Sequence, residues 1–142
     1  MRYWDASAIV PLLVRQGRTA AMERRFAEDP EIVTWWGSSL ECYSALMRLA
    51  REGRLGRSEQ SQAERRLTEL RRNWDEVMPT ESARRGAERL LRLHVLRAAD
   101  ALQLAAALAA TGQEADRMEM LCLDARLSEA ARREGFTVIE DG

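Results

Sequence analysis

The chain has 142 residues, 46% of them hydrophobic and 32% charged, with a net charge of −1; this fits one globular domain burying about two-thirds of its unfolded surface. All 22 basic residues are arginine and the only histidine is His94, which excludes a P-loop lysine, a Schiff base and a multi-histidine metal site. The near-zero net charge argues against broad electrostatic capture of nucleic acid and leaves room only for a local arginine patch.

The predicted elements, in chain order, begin with a short strand at Arg2 to Trp4, ending at Asp5. The run SAIVPLLV follows as a helix, with Pro11 close enough to its start to be tolerated. Asp5 also interrupts the place where a signal peptide needs its apolar centre. No run reaches the roughly 18 to 20 apolar residues that span a bilayer, so a cytoplasmic protein without membrane contact is expected. Thr19 to Glu28 reads as a helix stopped by Asp29-Pro30, and Glu31 to Trp36, β-branched and aromatic, as a second strand. Ser38 opens a helix to about Glu52, with Ser38 and Glu41 at capping-box spacing.

In the next helix, Ser58 to Trp74, Ala63, Leu67, Leu70 and Trp74 recur at the spacing of one face. Glu76 to Pro79 is a short strand candidate. Thr80 to Leu91 is a helix with Ala83, Ala87, Leu90 and Leu91 inward. Leu96 to Gly112, LRAADALQLAAALAATG, is an apolar helix carrying one carboxylate, Asp100, with Gln103 three residues on. That spacing suits an N-cap. Met118 to Leu123 is a strand, Ala125 to Glu134 a helix ended by Gly135, and Phe136 to Ile139 a last strand. Alternating strands and helices imply a three-layer α/β/α domain on a central, mainly parallel sheet, occupying residues 1–142 as one unit.

Cys42 and Cys122 are isolated and read as buried thiols, and His94 as a structural or surface residue. Arginine pairs at 24-25, 65-66, 71-72, 84-85 and 132-133 read mostly as solvated helix faces. The exposed part of the Ser58 helix, with Arg65, Arg66, Arg71 and Arg72, is a candidate partner or RNA contact.

Taken singly, Asp5, Glu41, Asp100 and Asp124 each have a capping explanation. The fold gives them another. In an open parallel sheet, ligands bind outside the carboxyl ends of the strands, and all four acids are expected at that edge. Two unit charges about 5 Å apart repel by roughly 3 kcal/mol at an effective dielectric of 20, so four ionised acids there need a cation or protons. Hard oxygen ligands select Mg²⁺ or Mn²⁺, and such an ion suits phosphodiester hydrolysis.

The order MRYWDASAIVPLL, SSLECYSALMR, LRAADALQLAAAL and LCLDARLSEAARREGFTVI resembles the PIN-domain nucleases, in particular the VapC toxins of bacterial toxin-antitoxin pairs, over essentially the whole chain. The resemblance implies that Asp5, Glu41, Asp100 and Asp124 are catalytic, metal-binding acids and that Ser7 is the small hydroxyl residue beside the first of them. It implies Mg²⁺- or Mn²⁺-dependent RNA cleavage, a homodimer, and silencing by a cognate antitoxin. One departure is Cys122, where the family commonly has threonine or serine. Arg97, three residues before Asp100, is a candidate phosphate contact or a helix-end arginine. The alternatives are a DNA-directed or RNA-processing nuclease on the same fold, and a silent binding module whose acids only cap helices.

Overall fold

The computed structural model describes residues 1–140; the last two residues of the expected domain lie outside them. Five strands, β1 (Arg2–Trp4), β2 (Ile32–Trp35), β3 (Asp75–Val77), β4 (Met120–Leu121) and β5 (Val138–Ile139), form one sheet in the order β3-β2-β1-β4-β5. Every pairing is parallel, with Tyr3 against Val33 on one side and Met120 on the other. The chain order reverses between β1 and β4. That crevice is where a doubly wound sheet places its ligands.

Seven α-helices cover the sheet among the described residues: α1 (Ala6–Leu13), α2 (Thr19–Glu28), α3 (Ser38–Arg51), α4 (Arg57–Asn73), α5 (Glu81–Leu93), α6 (Ala98–Ala110) and α7 (Ala125–Arg133). Side chains alternate across a strand, so adjacent residues of β1 feed different cores. Tyr3 packs with Leu90, Leu104 and Leu127 of α5, α6 and α7, whereas Trp4 packs with Ile9, Met22, Leu46 and Leu67 of α1 to α4. The three-layer α/β/α arrangement follows from that alternation. α6 is buried nearly all round, as its alanine-rich sequence requires.

Several expectations need correction. The strands are shorter than the apolar runs that suggested them: Met118 and Phe136 lie outside β4 and β5, and Trp36 leaves β2 to stand exposed. Pro11 is the sixth residue of α1, so it removes an interior hydrogen bond; the helix ends two residues later, which limits the cost. Leu91 faces out rather than in, because Leu90 takes the inward position of that turn. Ala63, Leu67, Leu70 and Trp74 are buried as their spacing required. No single helix is long and apolar enough to cross a membrane; α5 and α6 reach that length together but meet at a 118° bend.

A candidate metal centre at the carboxyl edge of the sheet

Asp5 follows β1 directly and caps α1, its Oδ2 accepting from the Ser7 amide at 3.1 Å and from the Ser7 hydroxyl at 2.5 Å. Ser7 Oγ in turn accepts from the Leu123 amide at 2.8 Å, tying the end of β4 to the start of α1 across the crevice. Asp124 caps α7, its Oδ1 accepting from the Leu127 amide at 2.9 Å. Both aspartates therefore sit where strand gives way to helix, as expected.

The other two acids reach the same edge by a different route. α6 starts at Ala98 with Arg97 at the N-cap, so Asp100 is the third helical residue, and its Oδ2 accepts from the Arg97 amide at 3.3 Å. It reaches back to the cap instead of being the cap. The expected Ser38–Glu41 box is likewise absent. Gly37 is the N-cap of α3, and the Trp35 indole lies where a side chain at that position would stand, with Nε1 2.5 Å from its Cβ site. Ser38 is buried and turned inward, sharing a 2.6 Å hydrogen bond with Thr34 Oγ1.

Sequence reasoning missed the residue that holds Glu41. Gln103 Nε2 donates to Glu41 Oε2 and, at 2.9 Å, to Ser38 Oγ, while its Oε1 accepts from the Tyr3 hydroxyl at 2.7 Å. Gln103 is buried one turn inside α6, on the face that carries Asp100. A glutamine in an otherwise apolar helix is the available signal in the sequence, although its spacing from Asp100 equally suits a cap.

Asp5, Glu41, Asp100 and Asp124 line one cleft of ≈ 590 Å³, with Ser7 and Arg48. In each carboxylate one oxygen is engaged in the hydrogen bonds above, and the other accepts none among the described residues. Capping and ligation thus use different atoms. Burial raises the Asp5, Glu41 and Asp100 carboxyls above the ordinary range, Glu41 to about 7, and the neighbouring acids push each of them further. No three His, Cys, Asp or Glu side chains among the described residues are close enough to enclose an ion directly. The donor set still fits a hard divalent cation: it is all oxygen, it carries uncancelled charge, and Mg²⁺ characteristically keeps several waters between itself and protein carboxylates.

Cys122 lies beneath the acids, fully buried, its thiol 3.7 Å from Asp5 Oδ2 and 3.6 Å from the Asp124 carbonyl. Burial pushes that thiol up to about 12, so it remains a neutral, weak donor. Cys42 is buried in the α3 core. His94 is structural: its Nε2 lies 2.7 Å from Glu134 Oε2, and Arg89 holds the other oxygen of the same carboxylate. Arg97 is exposed at the N-cap of α6, and its charge is felt at Asp100. Of the α4 arginines, Arg66 lies over the Phe26 ring, 5.6 Å from its centroid, and Arg65, Arg71 and Arg72 face solvent.

No protein-family model matches the chain, and no curated protein matches it in sequence. In fold it is similar to a chain of a solved toxin-antitoxin complex from Klebsiella pneumoniae, with a TM-score of 0.56 and 15% identity over 87% of each chain. At that identity the likeness defines an α/β fold class.

Proposed function

We propose that the protein is a Mg²⁺- or Mn²⁺-dependent endoribonuclease of the PIN type, and that it is the VapC-like toxin of a type II toxin-antitoxin pair. The observation that carries this reading is the convergence of Asp5, Glu41, Asp100 and Asp124 on one cleft at the β1/β4 crevice, each keeping one oxygen out of local hydrogen bonds. The likeness in fold to a chain of a toxin-antitoxin complex supports the toxin role and an antitoxin partner. A homodimer belongs to the same reading.

Asp5, Asp100 and Asp124 would hold the cation in part through its bound waters, with Glu41 as a direct or water-mediated ligand. When bound, the ion supplies the Lewis acidity that activates a water and offsets charge on the phosphate. Glu41, a carboxylate lining the cleft, would take the proton from an attacking water. Gln103 fixes its orientation, and Ser7 fixes that of Asp5.

Cleavage mapping on RNA with added Mg²⁺ or Mn²⁺, against a chelator control, tests the activity. Cuts that appear only with metal are expected, and their absence would overturn the reading. Asp100→Asn keeps an acceptor for the Arg97 amide while removing a charge, so folding should survive and cleavage should not. Induced expression should arrest growth, with rescue by a small protein encoded beside it. Normal growth with an active enzyme would instead indicate RNA processing.

A further inference from the structure

A second concavity, ≈ 320 Å³, lies between the α5–α6 connection and α7, and Leu93, Val95, Arg126, Glu129 and Arg133 help to line it. Leu93 is 58% and Val95 85% exposed, and together they give this pocket an apolar wall. The local backbone explains it. His94, the C-cap of α5, is extended (φ −132°, ψ 153°) and turned inward onto Glu134, so its two neighbours are directed away from the core.

Two further observations say what belongs there. Arg126, in the first turn of α7 and two residues beyond its cap Asp124, borders this pocket while Asp124 lines the acid cleft, so the two concavities lie on either side of the start of α7. The pocket's polar lining also includes His94, held by Glu134, and the Arg133–Glu129 pair at 2.9 Å, which offers donors and an acceptor side by side. An unpaired base suits the site: aliphatic carbon meets one of its faces, a guanidinium can stack on or bond it, and a polar edge can read it.

We propose that this pocket seats the base of a nucleotide flanking the scissile phosphate, so that the protein takes single-stranded RNA in a fixed register. This rests on the nuclease reading above, and the test separates the two. Affinity for a short, labelled, unstructured RNA is measured by fluorescence anisotropy in Ca²⁺, with one abasic nucleotide walked along the strand. Cleavage in Mn²⁺ is followed separately.

An abasic substitution at one position should weaken wild-type binding about tenfold. The neutral double variant Leu93→Asn/Val95→Asn should bind intact RNA about tenfold more weakly and lose little more with the abasic strand, a coupling that identifies the base with the pocket. Both residues are exposed, so the melting temperature should hold. Val95→Phe should bind at least as well as wild type. If the double variant cleaves with unchanged KM and binds like wild type, the pocket assignment is overturned and the nuclease stands. If the coupling appears but wild type never cleaves, the base site stands and the nuclease reading falls. If only binding of a protein partner is lost, or wild type binds no RNA, the proposal fails.

Discussion

The two ends of the sheet hold the same kinds of residue and treat them in opposite ways. At the amino edge the approaches to β1, β2 and β4 are stitched by opposite charges: the Met1 ammonium meets Asp29, while Arg2 lies 3.2 Å from Glu28 and 3.1 Å from Glu119. Those contacts hold the Glu28 and Asp29 carboxyls below their ordinary range. At the carboxyl edge Asp5, Glu41 and Asp100 are raised, because burial and each other's charge outweigh the hydrogen bonds they accept. Composition is balanced over the whole chain, so the imbalance at one edge is local. A cluster of like charges without a direct ion pair among the described residues is a functional signal rather than a stabilising one.

The largest expected effect follows from removing one charge at the carboxyl edge. Asp5→Asn retains an acceptor for Ser7 and should lower RNA cleavage at least about a hundredfold. It relieves repulsion, so the metal-free variant should melt no lower than wild type at pH 8. A variant that loses activity only by unfolding would show Asp5 to be a structural cap and would erase the contrast between the edges.

Metal and pH should sharpen it next. A cation binding at a hundred times its Kd stabilises by about 2.7 kcal/mol, or roughly 5–10 °C for a domain of this size. The sign with pH is set by the raised groups. Their folded values lie above the ordinary 3.8 of Asp and 4.5 of Glu, so their contribution is fully present below those values and is lost as pH rises towards the 7 of Glu41. The lowered groups at the amino edge act in the opposite direction, losing their contribution as pH falls through their folded values. Thermal melts should therefore show Mn²⁺ stabilising more at pH 8 than at pH 5.5, where protons compete for Glu41. Equal stabilisation at both pH values would place the metal elsewhere.

What could be read from the chain alone divides along the same line. Strand and helix order, the α/β/α layering and the two caps Asp5 and Asp124 are local signals: an apolar run, a turn, an acid at the junction. Asp100 and Glu41 were legible as acids, but their local roles were not, because a cap depends on where a helix starts. α6 starts two residues ahead of Asp100, and the Trp35 indole over Gly37 fixes the start of α3. The Gln103 bridge was invisible for a stronger reason. Its partners Tyr3, Ser38 and Glu41 lie 100, 65 and 62 residues away, and no periodicity links them.

That bridge gives the third prediction, on a scale comparable to the metal effect. Gln103→Leu leaves the buried Tyr3 hydroxyl without its partner and should cost roughly 1–3 kcal/mol. It should also do something that a packing defect would not. The hydrogen bond from Gln103 holds the Glu41 carboxyl down, so its loss should move the acid limb of the pH–rate profile upward, with kcat falling more than KM changes. An unmoved profile would show that Gln103 serves only the core.

The smallest effect is expected at the opposite edge, and it tests whether charge alone decides the difference. Asp29→Asn removes the partner of the Met1 ammonium, an ion pair that is still half open to water on the cationic side. Exposed pairs of this kind contribute about 0–1 kcal/mol and are screened by salt. The melting temperature should fall by a degree or two at low ionic strength, the gap should close in high salt, and RNA cleavage should be unchanged. The conservative replacement is the one made at Asp5, so a large loss of activity from Asp29→Asn would mean that the acids of the carboxyl edge owe their importance to net charge and not to their shared cleft. Comparable activity for wild type and Asp29→Asn, beside an inactive Asp5→Asn, would locate function at the β1/β4 crevice.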